Sequence, residues 1–537
     1  MSEPYSLAAR AWLPVATAAG AREFIRIRDI ARPGILRIDT GRPDCDISVT
    51  EFLIGLLAIS ALAPRERPDW KPRFHTPPSP EEIDEAIAPF AHALVLDGPG
   101  PRFFQDFEPL DGDGTAVAAL LMDQPGGKTQ TDNADFFVKR GGVKTLSRGG
   151  AAIALLTLQT SAPGGGAGHR TSLRGGGPVT TLVIPRVSEM APSLWEILWA
   201  NVPSELHLDL DALQMAMPWL GPTRTSNKNE TTTPEHVHPA QAFFGMPRRI
   251  RLNFVANTAR VPCDLFGEAD DVIVQSYTTR PYGTNYTSWS KLHPLSPYYK
   301  QREQDAEWLP LHFKSSAVGY RQWTGLALKG ASGLRVAASN VGVFLRDRRR
   351  EAGISAGNEY KAGILACGYA MDNMKPLDFT EAYLPIIVTE TEDGDRELAT
   401  RASEMVKAAN YAVSMLAQTL NAALFGGQGK TDNSLLGTAR ARFWSATEDE
   451  FYAALGKYAR DAGQDPRAEW LRFLGGKALA IFDGLAPLDA PESLDIKNVV
   501  QARSLLLRAL NPLTGKKFRD EAGLPPPQND KPKRRAA

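Results

Sequence analysis

Cysteine is scarce in this chain, and its positions exclude two classes of small protein. Only Cys45, Cys263 and Cys367 occur among 537 residues, and no two of them form a CxxC pair. Neither a disulfide framework nor a four-cysteine zinc site can be built from them. This usage favours a reducing compartment, so we expect a cytoplasmic protein.

The chain also lacks an excess of charge of either sign and a long apolar run. Lys and Arg number 61, as do Asp and Glu, which excludes a polycationic wrapper of nucleic acid but leaves room for a local basic groove. The longest apolar run, Phe52–Ala63, is too short to span a bilayer and predicts a buried helix. The N-terminus carries no apolar core of signal-peptide type.

What is present is ordinary globular composition, with 43% hydrophobic and 23% charged residues. The length allows about two to four domains. We expect a helix over Asp46–Leu62 that starts near the cap candidates Ser48 and Thr50, and a linker or surface loop over the proline-rich Pro64–Pro80. Alternating or apolar runs predict three strands: Phe24–Ile30, Ile250–Asn257 and Val336–Phe344.

After residue 376 the pattern becomes helical. Four segments place apolar residues three or four positions apart, and Gly- or Pro-containing breaks separate them. The sequence therefore predicts an α+β protein, with a large mixed α/β N-terminal domain over 1–376 and an all-α four-helix bundle over 377–520. The basic, proline-rich tail 521–537 is predicted to be disordered.

Positive charge is concentrated in two places. Residues 128 to 174 include seven basic residues and only two acidic ones, Asp132 and Asp135. The basic residues are Lys128, Lys139, Arg140, Lys144, Arg148, Arg170 and Arg174. A second cluster is Arg346–Arg350. Both clusters are candidates for contacts with phosphates.

A glycine-rich segment over 164–178 lies at the end of the first basic region. Glycine allows backbone to approach a partner closely, and successive N–H groups can cradle phosphates. No Gly-Lys-Ser/Thr closes a Walker A loop, and no helical pattern follows as in a dinucleotide fold. A flexible surface loop is the alternative interpretation, but Arg170 and Arg174 favour an anionic partner.

Catalytic patterns are weak. His236 and His238 invite a metal site, but no third ligand is near and the HExxH spacing is absent. His293 lies in a His-Pro-Leu-Ser-Pro turn and is interpreted as structural. The chain has no GxSxG motif and no cysteine in an activating context. We expect no enzyme; a metal-dependent nuclease using His236 and His238, or a purely structural assembly subunit, remains as an alternative.

Taken in order, these segments resemble a known family. Six segments and the helical region that follows them are similar to CasA, the large subunit of the type I-E CRISPR surveillance complex Cascade. The segments are Trp12–Val15, Pro163–Thr181, Ser193–Glu196, Pro234–Arg251, His293–Lys300 and Gly368–Lys375. The resemblance covers nearly the whole chain. No single motif decides it, but the ordered set is specific.

The resemblance implies site residues by position. A glycine loop of Gly164, Gly165, Gly166, Ala167 and Gly168, with Arg170 behind it, would lie along the minor groove of the duplex that carries the protospacer-adjacent motif (PAM). Lys300, with Lys314 as second choice, would enter the same groove as a lysine finger. Asn373 would be a wedge that opens the duplex, although the relative used for comparison has Gln there.

Further implications concern partners. Phe137 and Lys139 would anchor the subunit near the 5′ end of the guide RNA and the backbone subunits, and the helical bundle would contact the small subunits. The family recognises the PAM, assists R-loop formation and recruits a helicase-nuclease in antiviral defence. Some relatives have a zinc-binding cysteine cluster; only Cys263 remains here, so we expect no zinc and no other cofactor.

Overall fold

The computed structural model describes residues 3–124, 131, 140–166, 168–186, 191–314, 318–327, 333–355, 362–372, 375–427, 434–487 and 495–526. The chain divides into two compact units. The first comprises 1–316, 334–354 and 361–383, and the second comprises 317–333, 355–360 and 384–537. The described part confirms the α+β fold class, with a mixed first unit and a helical second one. No helix in these ranges is long and apolar enough to cross a membrane.

The strands are short and form several small sheets. They are β1 Tyr5–Ser6, β2 Leu13–Thr17, β3 Arg22–Ile25, β4 Ile35–Ile38, β5 Val95–Asp97, β6 Thr115–Ala116, β7 Leu146–Ser147, β8 Thr180–Pro185, β9 Arg249–Ala256, β10 Val272–Arg280, β11 Tyr298–Tyr299, β12 Leu309–Pro310, β13 Arg335–Val336, β14 Ala362–Asp372 and β15 Lys375–Pro385. Their sheet orders are β1-β5, β3-β2-β4, β6-β10-β7 with β9 also on β10, β12-β11-β13 and β15-β14-β8. The domain boundary predicted at 376 falls inside β15.

The three longest of the described helices lie in the second unit. In chain order they are α1 Pro43–Ile59, α2 Arg67–His75, α3 Pro80–Ile87, α4 Arg148–Ser161, α5 Leu194–Asn201, α6 Leu213–Ala216, α7 Gln241–Phe244, α8 Tyr320–Leu326, α9 Ser339–Val343, α10 Glu392–Phe425, α11 Ser434–Arg460, α12 Arg467–Leu485, α13 Ile496–Ala509 and α14 Lys516–Glu521. A π-helix, Phe344–Arg348, continues α9. Six short 3-10 helices complete the described secondary structure: Ile27–Asp29, Ala88–Leu94, Val117–Leu120, Leu210–Ala212, Pro218–Leu220 and Pro234–His236.

Helix α1 is the centre of the first unit, and it begins earlier than predicted. Pro43 is at its first turn with Asp44 and Asp46, where a proline ring and negative charge both favour a helix start. Ser48 and Thr50 are therefore not caps. Their hydroxyls donate to the carbonyls of Asp44 and Asp46, at 2.8 and 2.7 Å, inside the helix. Phe52 packs edge-on against the Phe103 ring.

Three sequence predictions of local structure are wrong. The proline-rich segment 64–80 contains α2, because one of its prolines lies in the first turn, where no N–H is needed, and Trp70 and Phe74 bury their rings. The strand predicted from Phe24 ends at Ile25 and gives way to a 3-10 turn. The run Val336–Phe344 is mostly helix, and the alternation that suggested a strand was too short to decide.

The second unit confirms the helical region. Helix α10 packs against α11, α12 and α13, so one long helix contacts each of the other three. Thr391 caps its N-terminus by accepting from the Gly394 N–H at 3.0 Å, and Gly426 ends it in the left-handed conformation. Helix α8, distant in sequence, joins this unit. Its Tyr320 ring stacks on Phe451.

Candidate nucleic-acid interface

The glycine loop forms a tight turn at the end of α4. The Gly165 N–H donates to the His169 carbonyl at 3.1 Å, and the His169 N–H donates to the Gly166 carbonyl at 3.3 Å. Gly165 and Gly166 are exposed. A Cβ on Gly166 would meet no atom within 4 Å, so the backbone at this residue is open on its outer side. Ala167 lies outside the described residues.

Gly168 is needed for a different reason. Its φ is +80°, and a Cβ would lie 2.8 Å from the Tyr282 ring. A side chain would be strained in this conformation and would also clash. The Tyr282 N–H donates to the Gly168 carbonyl at 2.9 Å, which fixes the loop to the segment after β10.

Arg170 connects the glycine loop to Ser226 through hydrogen bonds. Its Nε donates to Ser226 Oγ at 2.8 Å, and its Nη2 donates to the Ser226 carbonyl at 3.2 Å. The Ser226 hydroxyl in turn donates to the Gly283 carbonyl at 2.7 Å. These bonds give Arg170 a clear role in positioning the loop. Its direct contact with DNA stays a prediction.

Arg174 does not face a partner, contrary to the inference drawn from its place in the glycine-rich segment. It is 4% exposed and donates to both carboxylate oxygens of Glu51, at 2.7 and 2.8 Å. It also donates to the hydroxyls of Thr180 and Ser296. The position of Glu51 on the first long helix explains this, because a buried carboxylate requires a buried cation.

His293 completes this buried cluster. Its Nε2 lies 3.0 Å from Glu51 Oε1, and its Nδ1 accepts from the Leu295 N–H at 3.2 Å. Burial alone would raise the pKa of Glu51, but Arg174 and His293 lower it to about 2. Burial and the Arg174 charge lower the pKa of His293 to about 4, so its ring is neutral at pH 7. One ionised pair and one neutral ring thus tie α1, the glycine-rich segment and the 293–297 turn together.

The end of the glycine-rich segment packs against β14. Gly177 has a φ of +62°, and a Cβ there would lie 2.5 Å from Tyr369 Cβ and 3.1 Å from Met371 Sδ. A Cβ on Gly176 would lie 2.8 Å from the Cα of Pro163. These two glycines therefore serve close packing. They also bring the start of the glycine loop near Met371, one residue before the end of β14.

Strands β14 and β15 are neighbours in one sheet; the first ends at Asp372 and the second begins at Lys375. Residues between them, including the predicted wedge Asn373, lie outside the described residues. Phe137 and Lys139, predicted to anchor the guide RNA, also lie outside them. Asp372 and Lys375, which flank the two-residue interval, are described, and both are exposed.

Lys300 follows β11 directly. Its backbone N–H donates to the Leu334 carbonyl at 2.9 Å, and its Nζ lies 5.1 Å from the centre of the Trp308 ring. Lys291 Nζ lies 3.9 Å from the same ring. Two ammonium groups therefore share one indole, an arrangement that the separate sequence positions did not reveal.

Lys314 lies closer to the β14 end than Lys300 does. Phe313 forms a parallel bridge with Ala370, so Lys314 follows it in the direction in which Met371 follows Ala370. Tyr299 pairs with Leu309 in the antiparallel pair of β11 and β12, so Lys300 lies opposite Trp308, just before β12 begins. Lys314 lies six positions after Trp308 in the sequence. The Lys314 side chain is exposed.

Arg248 is a cation at the glycine loop that the sequence reasoning missed. It donates to the Pro163 carbonyl, and a Cβ on Gly165 would lie 3.1 Å from its Nη1. No carboxylate pairs with it among the described residues. Burial lowers its pKa to about 10. The only signal in the sequence was an Arg just before a strand, which is usually a solvated charge.

Several arginines of the two predicted basic clusters are buried or paired with carboxylates. Arg148 pairs with Asp270, with its Nη2 2.5 Å from Oδ1. Arg348 is 3% exposed and donates to the Ser204 hydroxyl at 2.9 Å. Arg346 pairs with Asp347 at 2.8 Å. Counting charges along the sequence overstated the exposed charge, because arginines at helix ends and in turns were already paired.

The two histidines proposed as metal ligands make local hydrogen bonds. His238 Nε2 lies 2.8 Å from the His207 carbonyl, and its Nδ1 accepts from the Ala240 N–H at 3.1 Å. His236 Nδ1 accepts from the Thr233 N–H at 3.2 Å. Both nitrogens of His238 are therefore occupied. Among the described residues, no group of three or more His, Cys, Asp or Glu side chains is placed to hold a metal ion.

The model of the family described as CRISPR-associated protein Cse1 matches residues 6–481. The chain belongs to the Cse1 family. Solved structures of Cse1 from Acidimicrobium ferrooxidans and Thermobifida fusca share 18% and 16% identity with it, at TM-scores of 0.68 and 0.69. Each alignment covers 97% of this chain, and 99% and 98% of those chains. These likenesses show a shared fold.

A chain of a CRISPR RNA-guided surveillance complex is also similar, at 14% identity and a TM-score of 0.55, over 94% of this chain and 100% of that one. A solved Thermus thermophilus protein carries both names, CasA and Cse1. The resemblance to the CasA family is therefore confirmed at the level of the family.

Proposed function

We propose that this Cse1-family chain is a subunit of an RNA-guided Cascade complex and recognises the PAM in duplex DNA through the minor groove. One observation carries the proposal. The open backbone at Gly166, the end of β14 and Lys314 are linked in one framework of hydrogen bonds and close contacts within the first unit. An open glycine backbone, a lysine and the end of a strand, held together in this way, fit the narrow minor groove of DNA.

The openness of Gly166 supports this role. Gly168 and Gly177 have a positive φ and a close neighbour at the Cβ position, so the fold itself requires glycine there. Gly166 has neither, so packing within the described chain does not require glycine at this position. A partner that approaches the backbone closely would account for it. The minor groove, about 6 Å wide, is such a partner, and its degenerate pattern would allow several PAM sequences.

For the lysine finger, we favour Lys314 over Lys300. The Phe313–Ala370 bridge supports Lys314, because it lies beside the strand end that leads to Asn373. Lys300 already rests against Trp308. Asn373 would act as the wedge. Unstacking one base step costs a few kcal/mol, which the added groove contacts must offset.

The wider assembly follows from the same proposal. Phe137 and Lys139 would anchor the chain near the guide RNA 5′ end and the backbone subunits. The helical unit would contact small subunits, and exposed apolar side chains on α13, such as Ile496 and Val500, suit such contacts. Sequence specificity would reside in guide pairing, while a separate helicase-nuclease, recruited by the first unit, cuts the DNA. The chain itself would act in the cytoplasm without catalysis.

The decisive experiment replaces Gly166 by Phe in the complex assembled with a guide RNA. Gly437, an exposed helical glycine whose Cβ position is also empty, provides the matched control as Gly437→Phe. We expect Gly166→Phe to lower affinity for a PAM-bearing duplex at least tenfold, with assembly and thermal stability retained. Unchanged affinity would favour a purely structural subunit.

A second measurement addresses the nuclease alternative. The purified chain is incubated with labelled duplex and Mg²⁺, Mn²⁺ or Zn²⁺ in the absence of guide RNA. Because both ring nitrogens of His238 are occupied, we expect no cleavage. Guide-independent cleavage that His238→Ala abolishes would contradict the proposal and support the nuclease.

A further inference from the structure

An exposed aromatic ring, that of Tyr282, lies against the glycine loop. Tyr282 is 42% exposed, and a Cβ on Gly168 would lie 2.8 Å from its ring. Gly168 is two residues after Gly166, so their Cα atoms are at most about 7 Å apart. The ring is therefore close to the open backbone along which the proposed function places the minor groove.

The backbone of Tyr282 has a conformation that tyrosine rarely adopts. Its φ is +60°, in the left-handed region that favours glycine and, among other residues, asparagine. Phe104 also has a positive φ, of +52°, but its ring is fully buried, so packing in the core accounts for a phenyl group there. The exposed ring of Tyr282 has no such explanation. Backbone strain of this kind is concentrated at functional sites.

Hydrogen bonds on both sides hold Tyr282 in this conformation. Its N–H donates to the Gly168 carbonyl at 2.9 Å, and its carbonyl accepts from the Ser226 N–H at 3.0 Å. Ser226 Oγ accepts from Arg170 Nε and donates to the Gly283 carbonyl. The backbone that carries the ring is thus fixed to the glycine loop before a partner binds, which lowers the entropy cost of a contact.

The chemistry of the side chain fits the sugar-phosphate backbone of DNA. A phenol combines an apolar ring with an O–H donor at its tip, which suits a deoxyribose beside a phosphate. Within the described part of the chain, the Tyr282 hydroxyl forms no hydrogen bond. Arg248 adds positive charge at the same loop, because its Nη1 would lie 3.1 Å from a Cβ on Gly165.

We propose that Tyr282 is a further DNA-contacting residue, whose ring packs on a deoxyribose at the wall of the PAM minor groove and whose hydroxyl donates to a phosphate of that strand. This inference rests on the proposed function, because it takes the groove to lie along Gly166. A groove about 6 Å wide leaves roughly 3 Å between its midline and either wall. A ring beside a backbone in that groove meets the wall rather than the base edges. Such a contact positions the duplex without reading its sequence.

Two other roles for the ring are base stacking and packing alone. Stacking requires an unpaired nucleotide, since bases within a duplex already stack on one another. Packing alone is illustrated by Tyr383, which is 41% exposed and whose ring lies where a Cβ on Gly363 would be. Tyr383 lies in β15, and its φ is outside the left-handed region. A tyrosine that only covers a glycine therefore needs no strained backbone.

The test measures how tightly the complex assembled with a guide RNA binds a PAM-bearing duplex. Tyr282→Gly removes the ring and suits the positive φ, whereas Tyr282→Phe removes only the hydroxyl. The matched controls are Ser288→Gly, at an exposed residue with a φ of +63°, and Tyr383→Phe, at an equally exposed tyrosine. Duplexes with single methylphosphonate linkages remove the charge of one phosphate at a time across the PAM. Thermal unfolding of each variant verifies its fold.

We expect affinity to fall about tenfold in Tyr282→Gly and about threefold in Tyr282→Phe, while both controls bind as the parent does. The midpoint of thermal unfolding should stay close to that of the parent in Tyr282→Gly, because relief of backbone strain offsets the lost packing. One methylphosphonate linkage should weaken binding by the parent but not by Tyr282→Phe. That coupling would identify the phosphate that the hydroxyl contacts.

Three results would overturn the inference. Parent-like affinity in Tyr282→Gly would exclude a contact with DNA. Affinity and thermal stability that fall together in Tyr282→Gly, with Tyr282→Phe unchanged in both, would show that the ring only packs on Gly168. An abasic site beside the PAM that removes the effect of Tyr282→Gly, with no coupling to any phosphate, would show base stacking.

Gly166→Phe, measured in parallel, distinguishes this inference from the proposed function on which it rests. Lower affinity in Gly166→Phe with parent-like affinity in Tyr282→Gly would overturn the role of Tyr282 alone. Parent-like affinity in Gly166→Phe would overturn the groove assignment itself, and with it the position of the wall that Tyr282 is proposed to contact.

Discussion

Arg174 and Glu51 form a buried, bidentate ion pair that joins the glycine-rich segment to the first long helix, with Nη2 2.7 and 2.8 Å from the two carboxylate oxygens. Both side chains are 3% exposed. The pair lies beneath the candidate interface rather than in it. Its effect on DNA binding therefore acts through the fold.

The first prediction concerns this pair. Arg174→Met leaves the Glu51 carboxylate buried without its cation, and breaking a buried pair in this way costs about 3–5 kcal/mol. Denaturant unfolding of the full chain should show a loss of that size. The double variant Glu51→Gln/Arg174→Met should recover part of it. A loss below about 1 kcal/mol in Arg174→Met would contradict the assigned role.

The second prediction is a dependence of stability on pH through His293. Its pKa is lowered from 6.5 to about 4 in the folded protein, so the unfolded chain takes up a proton first as pH falls. The stability that the neutral ring contributes is complete above pH 6.5 and is lost between there and about pH 4. The shift corresponds to roughly 3 kcal/mol.

Glu51 adds a further loss at lower pH, because its pKa is lowered from 4.5 to about 2. Its contribution is complete above pH 4.5 and declines as pH falls towards 2. The two groups are separated by the variant His293→Gln. We expect it to flatten the free energy of unfolding between pH 6.5 and 4.5, measured by urea titration at each pH. A parent-like slope in that window would contradict the assignment to His293.

The sequence predicted the parts of this molecule that depend on local pattern. The C-terminal helices have apolar residues at three- or four-residue spacing, and that spacing alone buries one face, so they were found. Helix α2 was not predicted because Pro68 and Pro72 were taken to indicate a loop, although Trp70 and Phe74 are aromatic residues that a helix could bury. The first of these prolines lies where a helix tolerates proline.

The site was predictable only in outline. The glycine-rich segment was recognised, but its division into an exposed part at Gly166 and a packed part at Gly177 depends on contacts with β14, nearly 200 residues away. Arg174 looked exposed because its partner, Glu51, is 123 residues earlier. Arg248 gave no local signal. Partners distant in sequence cannot be inferred from one sequence, and they decide which cations remain available.

The third prediction tests Arg248. Its guanidinium donates to the Pro163 carbonyl and pairs with no carboxylate in the described ranges. Arg248→Met should therefore weaken binding of a PAM-bearing duplex several-fold, while unfolding free energy falls by only about 1 kcal/mol. Arg248→Lys keeps the charge and should restore the salt dependence. Parent-like affinity in Arg248→Met would exclude it from the interface.

The fourth prediction separates duplex opening from initial contact. Asn373→Ala should impair R-loop formation on intact duplex, because the wedge acts when the first base step is unstacked. On a substrate with a pre-melted bubble beside the PAM, the variant should perform as the parent does. R-loop formation can be followed by permanganate footprinting of unpaired thymines. An equal defect on both substrates would show that Asn373 is not a wedge.

The fifth prediction compares the two candidate lysines. Lys314 follows the Phe313–Ala370 bridge and lies beside the β14 end, whereas Lys300 rests against Trp308 at the other end of β12. Lys314→Ala should lower affinity for PAM-bearing duplex and reduce the slope of log affinity against log salt by about one phosphate contact. Lys300→Ala should change both quantities less. The reverse order would assign the lysine finger to Lys300. The minor groove of the DNA would then have to lie along the end of β11 rather than along β14, the strand that leads to Asn373.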